Sequence, residues 1–497
     1  MLKRNTTQEE VAKVHEPSGL VNLGNTCYLN SVVQCLRLVP NLRSALKAYP
    51  VNRSARIQAD GQRSNPHPLV TSLRDLYTDL DRSVNAIQPA QFVMATKMTF
   101  PQFAQTGPQG QPMQQDAEEF YSNVLSVISE EMAGTTAIES AFNRQKLSEQ
   151  SLLGANNVID AIFGMRIEET LTCDETVAAI PTPMEIGSKE GAAPAAAAAT
   201  SSEQVEPPVL RNDLQRKLVC NIQGGVEQST ASKSGPPVNI NHIAEGIHLA
   251  MSGKIEKHSE ILGRNAIWTK TQRIARLPPF LTVQFGRFYW KLTPNSQDHS
   301  GVKCKVMKPV TFHSTLDLYE FCTPQIQKIL KANRDKATEE EEDRATNKLK
   351  QGREASSSYG DAMNTSGDEV QQQDEVEALA ENEEEAAALR EALAMSMQVE
   401  QPPVGPGLPD RFQGYYELFA VVTHKGRDAD GGHYMGWVKS DPGEDDWYVF
   451  DDDECSPCKT EDVLKLKGGG DWHMSYLNFY RAMDNGNGRH ESNSRMS

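Results

Sequence analysis

The sequence predicts an α+β fold in which a mainly helical region is followed by strand-rich segments. Near the N-terminus, apolar residues recur at the spacing of one buried helical face, at Leu29, Val32, Val33 and Leu36. The run from Phe280 to Phe285 is typical of a buried strand, and residues 412–480 contain further strand-like segments. Helical and strand patterns therefore occupy different parts of the chain, which favours an α+β architecture.

Composition limits the class of protein. The chain has 497 residues, 38% of them apolar, and a net charge of −17, which makes a nucleic-acid partner a poor candidate. Its eight cysteines show no disulfide-framework spacing, and neither an N-terminal leader nor an apolar run long enough to span a membrane is visible. We expect free thiols, no membrane association and a cytoplasmic or nuclear location.

Two low-complexity segments divide the chain. We expect one catalytic domain over residues 19–482, between a polar tail at 1–18 and a disordered tail at 483–497. Residues 181–208 are rich in Pro, Ala, Ser and Gly and are predicted to be a disordered insertion. Residues 331–410 are predicted to be an acidic insertion.

A cysteine stands at the predicted start of the first helix. Thr26 suits the N-cap position, so Cys27 would be the first helical residue. A thiol there lies at the positive end of the helix dipole, beside N–H groups without helical partners, and both favour the nucleophilic thiolate. We therefore predict that Cys27 is a nucleophile, the alternative being a buried structural cysteine.

A base and its partner are predicted near the C-terminus. The strand beginning at His433 and the strand Trp447–Phe450 are separated by a Pro-Gly turn, which predicts a hairpin. The hairpin brings His433 opposite Asp451, Asp452 and Asp453, where a carboxylate can orient the imidazole. Sequence does not choose among the three acids, and His424 and His473 compete for the role of base.

The loop before the cysteine also supplies a candidate oxyanion donor. Asn22 lies five residues before Cys27, and its amide together with the Cys27 backbone N–H would provide two donors. The alternative is that Asn22 only shapes the turn.

Three motifs resemble those of the ubiquitin-specific proteases, which are papain-like cysteine isopeptidases. The segment from Gly19 to Leu36 resembles the family's cysteine box, and Gln115 to Phe120 resembles its Gln-Asp box. Gly432-His433-Tyr434, with Trp447 and the Phe450–Asp452 segment behind it, resembles the histidine box. The likeness extends from residue 19 to about 480.

The resemblance implies a fold with thumb, palm and fingers subdomains and a role for each motif residue. Cys27 would be the nucleophile, His433 the general base and acid, and Asp451 the orienting carboxylate. Asn22 would hold the oxyanion with help from Asp452. Gln115 and Asp116 would bind ubiquitin, with Asp116 facing its basic C-terminal tail.

No metal or organic cofactor is expected. Many members of the family carry a zinc ribbon of two CxxC pairs in the fingers, but only Cys173 and Cys220 lie in that region here. The pair Cys455 and Cys458 lacks a second pair.

Within the family, the proteasome-associated branch is the most similar. Three stretches carry this likeness, at 99–103, 423–427 and 468–473. The expected partners are ubiquitin, ubiquitin-conjugated proteins and the regulatory particle of the proteasome. About eighteen residues precede the cysteine box, too few for the ubiquitin-like domain with which that branch normally begins.

The acidic insertion contains a predicted helix at 383–398. Acidic residues lead into Leu389, Ala392 and Ser396, a pattern that resembles a ubiquitin-interacting motif. The alternative is a solvated helix rich in Ala and Glu.

Two loops are expected to gate the cleft and to keep basal activity low, by resemblance to the same branch. They are 289–302 and 426–431, both polar and containing Gly or Asn. The rival functions are a catalytically silent ubiquitin receptor and a protease for a ubiquitin-like modifier.

Overall fold

A computed structural model describes ten stretches of the chain. They are 17–50, 65–142, 152–175, 206–222, 239–291, 302–357, 404–427, 431–440, 445–470 and 472–484.

Ten α-helices occur within these stretches. They are α1 Cys27–Arg37, α2 Pro40–Ala48, α3 Pro68–Arg82, α4 Ala90–Thr99, α5 Ala117–Glu131, α6 Thr135–Ala141, α7 Val158–Ile162, α8 Ile243–Met251, α9 Pro324–Ser357 and α10 Thr460–Leu464. Short 3-10 helices cover Pro101–Ala104 and Tyr319–Phe321. Among the described helices, none is both long and apolar enough to span a membrane.

The same stretches contain fourteen strands. They are β1 Met165–Cys173, β2 Val209–Gln215, β3 Leu218–Cys220, β4 Ser252–Ser259, β5 Arg264–Arg276, β6 Phe280–Phe285, β7 Phe288–Lys291, β8 Val302–Lys305, β9 Thr315–Asp317, β10 Tyr415–Lys425, β11 His433–Lys439, β12 Asp446–Asp451, β13 Glu454–Lys459 and β14 Met474–Ala482. The predicted α+β class, the early helices and the predicted strands at 280–285, 433–439 and 447–450 are confirmed.

The largest sheet has the order β13-β12-β11-β10-β14-β6-β3, with β9 added beside β10. All of its pairings are antiparallel except that of β3 with β6. Strand β10 is apolar on both faces: Ala420 and Val422 belong to the core formed with the N-terminal helices, and Leu418 and Val421 to a second core. A strand between two cores reads as a continuous apolar run, which explains why β10 shows little alternation.

Helix α1 packs across β11, and this contact positions the site. The predicted helical face is fully buried: Leu29, Val32, Val33 and Leu36 are at most 1% exposed. On β11 the contact falls at Gly436, where an added Cβ would lie 3.1 Å from the carbonyl oxygen of Ser31. A side chain at this position would press on the helix, so glycine favours the close approach of helix and strand.

A smaller sheet and a hairpin complete the strands. The smaller sheet has the order β2-β1-β5-β4, and β7 pairs with β8. The base of this hairpin is fixed by Arg287, which is fully buried and donates to the carbonyls of Ser475, Val306, Lys308 and Lys467. Burial lowers the pKa of this guanidinium to about 10. Four carbonyl partners compensate for burying the cation and join the hairpin to β14.

Both ends of the second insertion, predicted as 331–410, pack on the folded domain. Residues 331–357 continue α9, where Asn333 donates to the Phe412 carbonyl at 2.9 Å. At the other end Val404 is buried and its carbonyl accepts the Leu277 N–H at 3.0 Å. These flanks belong to the folded domain because a few buried residues anchor segments that are polar on average. Residues 358–403 lie outside the described stretches, as do 181–205 of the first insertion.

All eight cysteines are free thiols, as predicted. Cys455 and Cys458 lie on the same strand, β13, but pack against different hydrophobic cores. Side chains on opposite faces of a strand cannot chelate one ion together.

Candidate active site

Cys27 is the first residue of α1, as the sequence predicted. Its side chain is buried at the N-terminal end of the helix, where the dipole is positive. Thr26 occupies the N-cap position, but its hydroxyl accepts the Leu23 N–H at 2.9 Å and makes no capping bond. The hydroxyl therefore stabilises the preceding loop instead of the helix end.

His433 is the first residue of β11 and lies between the cysteine and a carboxylate. Its Nε2 is 2.5 Å from Asp451 Oδ1, and the ring lies near enough to Cys27 for that residue to act on its pKa. Cys27, followed by Asp451, raises the pKa of His433 to about 9, although burial opposes this rise. The imidazole is therefore mainly protonated near neutral pH.

The hairpin selects Asp451 from the three acidic candidates. Pairing of β11 with β12 runs from Lys439 opposite Trp447 to Gly436 opposite Phe450. Asp451 follows directly at the end of β12, and its carboxylate reaches the ring. Asp452 and Asp453 occupy the turn that leads into β13.

The two competing histidines have other partners. His424 is 1% exposed, its Nε2 is 2.9 Å from the Gly431 carbonyl, and its Nδ1 contacts Lys305. Burial, and then Lys305, lower the pKa of His424 to about 3. His473 is also buried and bonds Thr423 through Nδ1, and burial followed by nearby His433 lowers its pKa to about 4. Both rings are therefore neutral, and neither has a bond to the sulfur among those described.

Asn22 and Asp452 form a network beneath the cysteine loop. Asn22 Oδ1 accepts the N–H groups of Gly24 and Thr26, at 3.0 and 3.1 Å, so this residue does shape the turn. Its Nδ2 donates to Asp452 Oδ2 at 2.8 Å, and Asn30 donates to Oδ1 of the same carboxylate at 2.8 Å. Burial raises the pKa of Asp452, although these two amides oppose the rise.

The backbone of Asp452 joins the two ends of the domain. The Leu20 N–H donates to its carbonyl at 2.8 Å. Beside this bond, an added Cβ on Gly19 would lie 2.4 Å from the Asp453 carbonyl oxygen, so the approach requires glycine. The cysteine loop and the end of β12 are therefore held in contact by main-chain bonds as well as by side chains.

One residue beside the sulfur was missed in the sequence. Gln114 Nε2 lies 3.2 Å from Cys27 Sγ and donates to it. The residue directly precedes Gln115, where the recognised box begins. Its position before that box was a signal, but nothing in the local pattern distinguishes an amide directed at the sulfur from an exposed one.

Asp116 is the N-cap of α5, a structural role that was not predicted. Its Oδ1 accepts the Glu118 N–H at 2.8 Å and the Tyr476 hydroxyl at 2.7 Å. Its Oδ2 faces Lys303 of β8, with the Nζ atom 3.8 Å away. The neighbouring Gln115 donates to the Met113 carbonyl at 3.4 Å.

The two expected gating loops are joined at their bases. Lys305 of β8 donates to the carbonyls of His424 and Gly426, at 3.2 and 2.7 Å, so the hairpin is bound to the turn that precedes His433. Phe288 of β7 packs edge-on against His424, with ring centroids 5.3 Å apart. Burial lowers the pKa of Lys305 to about 7. The tips, 292–301 and 428–430, lie outside the described stretches.

The predicted helix 383–398 also lies outside them, together with Leu389, Ala392 and Ser396. Its ubiquitin-binding role stays a prediction.

Comparison with known proteins gives a consistent result. The family model described as ubiquitin carboxyl-terminal hydrolase matches residues 18–480. Ubiquitin carboxyl-terminal hydrolase 6 of Arabidopsis thaliana is 34% identical over 465 residues, which cover 94% of this chain and 78% of that protein. Ubiquitin carboxyl-terminal hydrolase 7 of the same plant is 32% identical, over 96% of this chain and 80% of its own length. Ubiquitin carboxyl-terminal hydrolase 6 of Schizosaccharomyces pombe is 28% identical, over 96% of this chain and 80% of its own length.

Proposed function

This chain belongs to the ubiquitin carboxyl-terminal hydrolase family and is a cysteine-type deubiquitinating enzyme, and we propose that Cys27, His433 and Asp451 carry out its reaction. The bond cleaved is the isopeptide bond at the C-terminal glycine of ubiquitin. The observation that carries the proposal is the position of the His433 ring, whose Nε2 is 2.5 Å from Asp451 Oδ1 and whose pKa is raised first of all by Cys27.

In the first half of the reaction, the sulfur of Cys27 attacks the carbonyl carbon of that glycine. A carbon–sulfur bond forms, and the electron pair of the C=O bond moves to oxygen. When the tetrahedral intermediate collapses, the C–N bond breaks and protonated His433 gives its proton to the leaving lysine amine. Asp451 stabilises the imidazolium and holds the ring in place throughout.

In the second half, water hydrolyses the acyl-enzyme. Neutral His433 accepts a proton as the water oxygen attacks the thioester carbon, and the carbon–sulfur bond then breaks. Free ubiquitin leaves and the cysteine–histidine pair is restored. Every step uses groups of the chain, the substrate and water.

Labelling with a ubiquitin derivative that carries a C-terminal electrophile tests this proposal. The wild-type chain is expected to form a covalent adduct at Cys27, and Cys27→Ala to form none. Cys455→Ala is a matched control, because it removes a partly exposed cysteine on β13 and leaves Cys27 in place. An intact wild-type chain that binds the probe without reacting would contradict the proposal and indicate a silent receptor.

The same experiment addresses the choice of modifier. Electrophilic derivatives of ubiquitin and of ubiquitin-like proteins are compared at equal concentration. Selective reaction with ubiquitin supports the proposal, and selective reaction with another modifier contradicts it.

For the substrate tail, we propose that Asp116 and Gln115 contribute to binding its basic residues. Asp116 has a fixed orientation, because two donors hold Oδ1, and its Oδ2 already faces a cation of this chain. Gln115→Ala is expected to raise KM, because it removes a proposed contact to the substrate tail. The helix cap should be unaffected, since Asp116 and not Gln115 provides it. An unchanged KM would exclude it from tail binding.

We also propose that the chain acts in proteasomal turnover and carries a second ubiquitin contact at helix 383–398. The support is the resemblance of three sequence stretches and of the acidic, Leu- and Ala-containing pattern. The tests are co-sedimentation with purified proteasome regulatory particle and ubiquitin binding by the full chain with Cys27→Ala. In that second assay, Leu389→Ala with Ala392→Arg should weaken binding, and unchanged binding would contradict the contact.

A further inference from the structure

We propose that the side-chain amide of Gln114 donates a hydrogen bond to the oxyanion of the tetrahedral intermediate. The inference rests on the proposed function, because an oxyanion forms only if Cys27 attacks a carbonyl. It assigns a catalytic role to a residue outside the cysteine, histidine and aspartate positions.

The amide already points at the reacting atom. Gln114 Nε2 donates to Cys27 Sγ at 3.2 Å, and the residue is partly buried beside the sulfur. When sulfur bonds to a carbonyl carbon, the oxygen on that carbon lies close to the sulfur. A small rotation of the Gln114 side chain then moves its N–H from sulfur to oxygen, where donors act at about 2.7–3.1 Å.

The main chain on both sides of Gln114 is held. Two residues before it, the Pro112 carbonyl accepts a bond from Asn25 Nδ2 at 2.7 Å, which joins this segment to the cysteine loop. Two residues after it, Asp116 is fixed as the N-cap of α5 and by Tyr476. A donor held in this way needs little reorganisation during the reaction, which is what makes such donors effective.

Gln114 complements Asn22 in this role. The Asn22 amide nitrogen donates to Asp452 Oδ2, so part of its donor capacity serves the network beneath the loop. The Gln114 amide, by contrast, donates to the sulfur of Cys27 itself. The two amides come from different segments, Asn22 from the cysteine loop and Gln114 from the stretch that leads into α5.

In electron terms the role is simple. As the carbon–sulfur bond forms, the C=O π pair becomes a lone pair on oxygen, and Gln114 stabilises that charge without transferring a proton. As the pair returns and the C–N bond breaks, the amide is released. His433 carries the proton in both directions.

Two reactions of Cys27 distinguish an oxyanion donor from a residue that only activates or orients the sulfur. Ubiquitin hydrolysis passes through an oxyanion, whereas alkylation of Cys27 by iodoacetamide displaces iodide from a saturated carbon and forms none. Both require the same thiolate. A residue that only activates or orients the sulfur affects both reactions, and an oxyanion donor affects the first.

The variants are Gln114→Ala and Gln114→Met, the second of which keeps the length of the side chain but has no N–H donor and no charge. We expect each to lower kcat for ubiquitin hydrolysis by about 10²–10³-fold. The KM and the rate of Cys27 alkylation should stay within about twofold of the wild-type values. Gln91→Ala, an exposed glutamine on α4, is the control and should match the wild type in all three measurements.

Three results would overturn the assignment. A parallel loss of alkylation would make Gln114 a residue that activates the thiolate. A rise in KM with unchanged kcat would make it a substrate contact, and a folded variant with full activity would leave it no role. If the wild-type chain is alkylated at Cys27 yet cleaves no ubiquitin substrate, the proposed function itself fails, and this role with it.

Discussion

Gly436 of β11 lies against Ser31 of α1, so the strand that carries the imidazole and the helix that carries the sulfur meet at this contact. Cys27 is one helical turn before Ser31, and His433 is three residues before Gly436. An added Cβ at Gly436 would lie 3.1 Å from the Ser31 carbonyl oxygen, which is tighter than most such contacts. Helix and strand therefore bring the two reacting groups together through a point distant from both.

Enlarging Gly436 should separate the reacting groups. We expect Gly436→Ala to lower kcat/KM by about tenfold and Gly436→Val by more, because a displacement of about 1 Å can cost 10²-fold. Steady-state hydrolysis of a fluorogenic ubiquitin substrate measures the effect. Gly253→Ala on β4 is the control, since its Cβ would meet no atom within 4 Å. Equal activity of the Gly436 and Gly253 variants would show that this contact does not control the site.

The pH profile should report the pKa of His433. Since this pKa is raised to about 9, the imidazolium that protonates the leaving amine is present below that pH and lost above it. We therefore expect kcat/KM to fall as the pH rises through about 9.

Asp451→Asn should shift the alkaline limb of this pH profile, where kcat/KM falls as the pH rises. Asparagine keeps an acceptor oxygen but removes the negative charge through which Asp451 raises the pKa of His433, so the alkaline limb of the profile should shift to lower pH. The maximal rate should also fall, by about 10²-fold or more, because the ring loses its orientation. An alkaline limb that stays in place would mean that Asp451 does not act on His433.

Asp452→Asn tests the network beneath the cysteine loop. The two residues have the same shape, and asparagine tolerates the positive φ of 54° found here, so the backbone should not resist the change. The carboxylate accepts from the amide nitrogens of both Asn22 and Asn30, whereas an asparagine turns an NH2 group toward one of these two donors. We expect a loss of about 1–3 kcal/mol in the free energy of unfolding, measured by denaturant titration. Asp453→Asn, on the exposed neighbour, should change little.

Lys303 should compete with the substrate tail for Asp116. Its Nζ faces the carboxylate oxygen that the helix cap leaves available. We expect Lys303→Ala to lower KM up to about fivefold, in keeping with the strength of partly exposed ion pairs, and kcat to change little. Lys303→Arg keeps the cation and should resemble the wild type. A higher KM in Lys303→Ala would show instead that the lysine assists binding.

Sequence patterns predicted much of this site because the decisive features are local. The helical spacing around Cys27 and the strand patterns after His433 and around Trp447 are determined by neighbouring residues, and the structure agrees with them. The Pro-Gly turn between the two strands lies outside the described stretches. The choice of Asp451 required strand register, which depends on packing across the sheet. The capping role of Asp116 could have been predicted, because an aspartate directly before a helical segment is a common N-cap.

Other features depend on contacts between distant segments. The bond of Gln114 to Cys27 joins residues 87 positions apart, and the link from Lys305 to Gly426 spans 121. No periodicity encodes such pairs. The folded ends of the acidic insertion were missed for a related reason, because Val404 and Asn333 are anchored by partners that composition does not reveal.

The order of the groups along the chain affects when the protein becomes reactive during its synthesis. About 400 residues separate Cys27 from His433 and from the carbonyl of Asp452 that holds Leu20. At roughly 5–20 residues per second, the ribosome exposes the sulfur tens of seconds before its base exists. A nascent chain would therefore leave ubiquitin conjugates untouched until its last strands join the sheet, so that truncated products of interrupted translation would be inert.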